Sequence, residues 1–314
     1  MGADVRPPSN SPALRPLRLA SPADTPADWL GEKISAVAVL SFALDGPTPI
    51  LSSGRRYADH AMTMSHQSFE SEVAVPRLLQ LLADVDVAAT FFVPGAVAES
   101  HPAMVASVVE AGHEVAHHSY SHRPPIGLSL EQDREEFERG LAALGRLDIA
   151  PRGYRAPMWA ATYDTPDLVA EYGMTYDSSL MNRDSPYRLE TGSDPIVELP
   201  PHWSLDDWEQ YAYLPEPHLG YHINRPEFVV DGWLDELSAM RTVGGLFMLT
   251  SHAFLTGRAG RAVALRRLIE TAQSLSDVRF VTAARLADEV SASGTKELYR
   301  LERVAADPDT FSVW

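Results

Sequence analysis

The 314-residue sequence predicts an α/β fold in which helices cover a parallel sheet. Three observations lead there. Short, continuous apolar runs alternate with amphipathic stretches, the pattern of strands buried on both faces and followed by crossover helices. Gly, Pro and Asp close the apolar runs at their C-terminal ends. The polar residues that stand out (Asp45, the stretch 113–122, Arg155 and His252) come where strands of such a fold end, and chemistry gathers there.

Taken in order, residues 36–42 (AVAVLSF) read as a buried strand ended by Asp45-Gly46-Pro47. Residues 72–85 are amphipathic, with Pro76 tolerable only near the start of a helix. Residues 87–93 (VAATFFV) form a second strand, stopped by Pro94-Gly95. Residues 102–111 read as a helix with Gly112 at its C-terminal end. A long helix covers 130–147 and a short one 167–172, while 174–177 and 196–199 are short strands. Residues 231–241 are helical, 246–251 (LFMLTS) a buried strand, 258–275 a helix and 278–281 a last strand. A Pro-rich arm over 1–29 precedes the folded domain at 30–290, and a polar tail over 291–314 follows it.

Composition narrows the function. The chain is 45% hydrophobic and 22% charged, ordinary for a soluble globular protein. It has no cysteine, so disulfides and thiolate metal sites are excluded, and any transition metal must be held by His and carboxylates. The net charge of −17 argues against nucleic acid or a strongly anionic polymer as partner. Residues 1–29 lack the apolar core of a signal peptide, and no stretch approaches ~20 unbroken apolar residues. The expectation is a cytoplasmic protein with no membrane partner, acting on a small-molecule substrate, whose N-terminal arm wraps the domain or a neighbouring subunit.

Five of the 11 histidines lie between His101 and His122. His118 and His122 are spaced i, i+4, so one helical turn would aim both imidazoles at one point. Two neutral imidazoles suit zinc and its neighbours, although His-x-x-x-His is common by chance. Asp45, at the end of a buried strand, would complete three protein ligands and leave a position open for water or substrate; by itself, Asp-Gly is simply a turn signal. His252 at the mouth of a buried strand could donate a proton to a leaving group, or be a packed rim residue. Arg155 could hold a carboxylate bidentately, or sit in a surface ion pair.

Six blocks then occur in one order: Ser41-Phe-Ala-Leu-Asp-Gly46, Ala89-Thr-Phe-Phe-Val-Pro-Gly95, Gly112-His-Glu through His118-x-x-x-His122, Tyr154-Arg-Ala-Pro157, Tyr176-Asp-Ser-Ser179 and Leu249-x-x-His252. Together they resemble the polysaccharide deacetylase superfamily, the NodB-homology or carbohydrate esterase 4 group, over residues 30–290. Segments similar to Glu198-Leu-Pro-Pro and Leu205-Asp-Asp-Trp208 occur in its cytoplasmic branch of peptidoglycan deacetylase-like proteins, cyclic imidases and allantoinase-like enzymes. The resemblance implies a single-domain distorted (β/α) barrel, a homo-oligomer, and a divalent metal held by Asp45, His118 and His122. Zinc is the first expectation; cobalt, manganese and nickel also suit the set. It further implies His252 as general acid, Asp177 as its orienting partner and Arg155 as the clamp of a base carboxylate. Tyr154, Trp159, His202, Trp203 and Trp208 are expected to line the pocket or, as aromatics often do, to pack in the core or between subunits.

One position departs from the family. Its pattern is Phe-Asp-x-Asp, the first Asp being the general base and the second a metal ligand; here the text is Phe42-Ala43-Leu44-Asp45. A one-residue shift of the alignment puts the base on Leu44, which is equally inert. A general base contributes ~10²–10⁴-fold, so the chain as written is expected to be inactive or weakly active. Two readings stay open: a hydrolase of non-peptide C–N bonds inactivated at Ala43, and a natural ligand-binding member of the fold.

Overall fold

In the computed structural model, which describes residues 29–294 and 297–304, the first apolar run is strand β1 (Ala36–Ala43), buried along its whole length. The other strands are β2 (Thr90–Val93), β3 (Glu114–His117), β4 (Gly153–Tyr154), β5 (Tyr176–Asp177), β6 (Tyr187–Leu189), β7 (Ile196–Glu198), β8 (Tyr213–Leu214), β9 (Leu219–Tyr221), β10 (Leu246–His252), β11 (Val278–Phe280) and β12 (Leu298–Tyr299). The main sheet runs β10-β1-β2-β3-β4-β5-β7-β6-β12, with β11 beside the start of β1. All its pairings are parallel except that of β6 with β7. It curls into a half-barrel with helices around it, the distorted (β/α) barrel expected from the sequence. The strands that carry the site are parallel neighbours, so their C-terminal ends open on one rim.

Alternation along β1 divides the interior. Ala36, Ala38, Leu40 and Phe42 enter the larger core, against helices Val75–Asp84, Pro226–Val243 and Ala259–Gln273. Phe42 stacks on Phe91 there, ring centroids 5.0 Å apart, and each such burial stabilises by ~1.5–3 kcal/mol. Val37 and Val39 face the smaller core with Phe92, Met248 and helix Ala283–Ala292. Ser41 and Ala43 continue that second face toward the rim, and this is how β1 delivers them to the cleft.

Several elements depart from the sequence reading. The helix expected at 72–85 begins at Ala61–Phe69, passes through a π turn at Glu70–Ala74 and continues as Val75–Asp84. Pro76 has no N–H for the carbonyl four residues back, and the π turn absorbs that missing bond. Strand β3 escaped the reading because two of its four residues are Glu and His. Helix Ala283–Ala292, capped by Thr282, lies in a stretch where no element was expected. Within the expected polar tail, β12 pairs with β6 at the outer edge of the sheet. Apart from Trp29, which packs in the smaller core, the expected arm at 1–29 lies outside the described residues. Among the described residues no helix is long and apolar enough to cross a membrane.

Candidate metal centre and active-site cleft

Asp45 lies two residues beyond β1, in a turn that Gly46 closes with φ +51°. The Gly46 N–H donates to Glu70 Oε1 at 2.7 Å, so Glu70, a buried residue of the π turn, anchors the Asp45 loop from behind. Burial first, then the charge of Asp45, pushes the Glu70 carboxyl well above its usual range. Asp45 itself is 1% exposed, and neither of its carboxylate oxygens has a hydrogen-bond partner. Two such oxygens in the interior are costly unless a cation meets them.

His118 and His122 face these oxygens. His118 Nε2 lies 3.7 Å from Asp45 Oδ1, and His122 Nε2 lies 3.6 Å from Asp45 Oδ2. These separations are too long for hydrogen bonds and suit three ligands placed around one ion. The other His118 nitrogen, Nδ1, is 2.7 Å from the Arg155 carbonyl, which fixes the tautomer with Nε2 free. Burial lowers His118 to about 3 and His122 also downward, so both rings are neutral at pH 7, as metal ligands must be. The residues present therefore fit a divalent cation.

The histidine pair is not on a helix. His118 follows the end of β3, and the chain turns sharply through Ser119 and His122, both with φ +62°. Left-handed backbone at such residues is strained and stands where geometry is imposed from outside. Gly140 on helix Leu130–Gly145 permits the turn: a Cβ there would lie 2.2 Å from His117 Cε1 and 2.5 Å from the Ser119 carbonyl oxygen. His117 itself is a core residue, edge-on to Phe137 at 4.5 Å between ring centroids.

His252 ends β10, in register with Ala43 on β1. Its Nε2 faces Asp45 Oδ2 at 3.7 Å. Its Nδ1 is 2.7 Å from Asp207 Oδ1, the oxygen that also accepts the His252 backbone N–H at 2.8 Å. Asp207 Oδ2 accepts from Thr256 Oγ1. Asp206 stands 3.5 Å from the same Nδ1. Burial by itself would lower the imidazole, but Asp206, Asp207 and Asp45 outweigh it and raise His252 to about 10. Asp206 is raised to about 7, by burial first and then by Asp207 against the pull of His252. The segment before helix Trp208–Tyr211 reaches the site through one backbone bridge, Asp206 to Thr250 of β10.

The orienting partner of His252 is thus Asp207, and not Asp177. Asp177 lies on β5 among Glu198 and Ser179, accepting from Ser179 Oγ at 2.8 Å. Burial, then the neighbouring Asp177, drives Glu198 well above the carboxylate range.

The centre opens into a cleft of about 480 Å³ whose lining includes Ala43, Asp45, His118, His122, Arg155 and His252, within the size range of small-molecule sites. Trp159, Trp203 and Trp208 form its apolar walls. Trp159 is presented by consecutive left-handed residues, Met158 (φ 57°) and Trp159 (φ 52°). Two of the expected pocket residues are elsewhere. Tyr154 points the opposite way from Arg155 and packs with Phe137 and Leu168 in the core. His202 lies in a separate cleft and caps the short turn Trp203–Leu205, accepting the Ser204 N–H at 3.1 Å.

The profile described as polysaccharide deacetylase matches residues 61–176. A crystal structure of a putative polysaccharide deacetylase from Mycobacterium smegmatis is 40% identical, with TM-score 0.84 over 88% of this chain and 96% of that one. A curated peptidoglycan deacetylase of Helicobacter pylori is 28% identical over 253 residues, 72% of this chain and 86% of its own length. The solved PuuE allantoinase, 22% identical with TM-score 0.74 over 86% of this chain and 95% of its own, shares the fold.

Proposed function

The chain belongs to the polysaccharide deacetylase family, and from that premise we propose that it is a metal-dependent hydrolase of a non-peptide C–N bond, built to act on a small amide, N-acyl or cyclic imide substrate, with Ala43 at the general-base position. The observation that carries the reading is the convergence on Asp45: two buried, unbonded carboxylate oxygens faced by Nε2 of His118 and of His122. Zinc suits one carboxylate and two imidazoles; cobalt, manganese and nickel suit them also. When bound, such a cation supplies a polarised carbonyl and a water that ionises near neutral pH.

The chain's own residues supply the rest. The Arg155 carbonyl holds His118 with its free nitrogen toward Asp45. His252, protonated because three carboxylates face it, donates from Nε2 to the departing nitrogen. Asp207 keeps the ring in that orientation through Nδ1. Trp159, Trp203 and Trp208 cover the apolar part of the ligand and exclude water. A carboxylate at position 43 would take the water's proton; Ala43 cannot, which lowers the rate by ~10²–10⁴-fold. That same residue favours the second reading, a natural non-catalytic ligand-binding member of the family. A homo-oligomeric assembly belongs to the first reading, and a clean monomer in light scattering would remove that part of it.

The experiment is the Ala43→Asp variant, loaded with zinc or cobalt and assayed on N-acetylated sugars, cyclic imides, ureides and small amides. On an uncharged substrate, hydrolysis is expected to rise by at least ~10²-fold. Turnover absent across the panel, with metal and ligand still bound, would establish the binding-protein reading instead.

A further inference from the structure

Arg155 is 2% exposed, yet among the described residues all of its hydrogen bonds go to uncharged oxygens. Nε donates to the Ser178 carbonyl at 3.2 Å. Nη1 donates to Ser41 Oγ at 3.0 Å and Thr250 Oγ1 at 3.2 Å. Nη2 donates to Ser178 Oγ at 2.9 Å, leaving one N–H of the guanidinium over. A guanidinium keeps its charge at neutral pH. A buried guanidinium ordinarily has a carboxylate against it, because neutral acceptors do not replace the lost hydration of a full charge.

Its position shows where that carboxylate belongs. The guanidinium carbon lies 4.0 Å over the Phe92 ring. Phe92 is the partner of Ala43 across β1 and β2. Ser41 and Thr250, which receive Nη1, lie two residues before Ala43 and His252 on paired strands and face the same side. The cation therefore sits directly beneath the Ala43–His252 row, and Ala43, Arg155, Thr250 and His252 all line the cleft. Asp206, Asp177 and Glu198 act on the cation electrostatically without accepting a hydrogen bond from it, and the methyl group of Ala43 offers it no acceptor.

We propose that the cleft floor between Ala43 and Arg155 is a binding site for a carboxylate group that the ligand, and not the chain, brings. The group is either part of the substrate or a free small monocarboxylate such as formate. Its role rests on the hydrolase reading above. Held there, it accepts the proton as the water's O–H bond breaks and the hydroxyl oxygen bonds to the carbonyl carbon. The carbonyl π pair moves onto oxygen in that addition and re-forms the C=O bond as the C–N bond breaks, the C–N electron pair taking the proton of His252; the proton on the carboxylic acid then passes through solvent back to His252. The chain as it stands is then selective for acidic ligands.

The test is titration of the native full-length chain and of Ala43→Asp with sodium formate against sodium chloride at equal ionic strength, followed by calorimetry and thermal melting, with and without zinc. Saturable formate binding in the native chain, weakened at least about tenfold in Ala43→Asp, is the expected result. Formate binding equally to both proteins overturns the proposal, as does its failure to bind the native chain at all. N-acyl amino acids and their methyl esters separate the two sources. If the carboxylate is the substrate's own, esterification weakens binding at least about tenfold and formate competes. If it is free, the ester binds as well as the acid, and formate accelerates turnover in the native chain but not in Ala43→Asp. Failure of the metal reading would show separately, as absent zinc uptake in the same titrations.

Discussion

The Nδ1 of His252 and Oδ1 of Asp207 stand 2.7 Å apart, while Asp206 approaches the same ring at 3.5 Å without the contact of a hydrogen bond. Two adjacent carboxylates thus divide their work, one orienting the imidazole and the other adding charge. Replacing Asp207 by Asn keeps an acceptor for Nδ1–H and removes a charge. The folded-state value of His252, raised to about 10, is expected to fall. In the Ala43→Asp background the alkaline limb of kcat/KM should move to lower pH by at least about one unit. An unmoved limb would mean that another group sets it.

The proposed metal centre predicts a stability signature. Zinc at ~100 times its Kd should stabilise the native chain by about 2.7 kcal/mol, and Asp45→Asn should abolish most of that gain. Without metal the order reverses. Asp45 holds two buried, unbonded oxygens, so metal-free Asp45→Asn should melt no lower than the native chain. Equal zinc shifts in both proteins, measured by calorimetry, would remove Asp45 from the ligand set.

Glu198 predicts a pH dependence away from the cleft. Its folded-state value lies well above the usual 4.5 because burial and then Asp177 disfavour the charge. The folded chain therefore binds this proton more tightly than the unfolded chain, and stability is lost as pH rises from about 4.5 through the folded value. Gln keeps the acceptor for the Ser179 and Leu180 N–H groups and carries no charge. Glu198→Gln should raise the melting temperature by about 2 °C or more at pH 8, with the difference closing near pH 4.5. A pH-independent difference would point to packing instead.

Gly140→Ala tests the support of the ligand loop. Its methyl would overlap His117 and the Ser119 carbonyl, and overpacking of this kind costs about 1–3 kcal/mol. The melting temperature should drop by several degrees and zinc affinity with it. A variant with native stability and native zinc affinity would show that the loop yields freely.

Much of this site was legible in the sequence because polar side chains interrupt apolar runs. Asp45 and His252 each follow a strand of hydrophobic residues, and burial of those strands fixes where the next side chains emerge. Asp206 and Asp207 gave no such signal: they sit in irregular chain, joined to the sheet by a single bridge at Thr250. Glu70 lies ahead of the amphipathic stretch at 72–85, and nothing in a helix marks a π turn before Pro76. Tyr154 and His202 misled for a different reason. A two-residue strand leaves no alternation to read, so the sequence does not say that Arg155 faces the cleft and Tyr154 the core. The i, i+4 spacing of His118 and His122 suggested a helix because β3 is too short and too polar to announce itself.

Trp203 and Trp208 flank Asp206 and Asp207 within one short stretch of chain, and Asp206 meets the strand of His252 at Thr250. The shape of the cleft wall and the electrostatics of His252 are consequently joined. The apolar wall and the carboxylates that raise His252 thus share one segment of backbone. Side-chain exchange is therefore freest at Trp203, because Trp208 packs on His252 at 5.1 Å between ring centroids and a longer backbone would shift the carboxylates beside that ring.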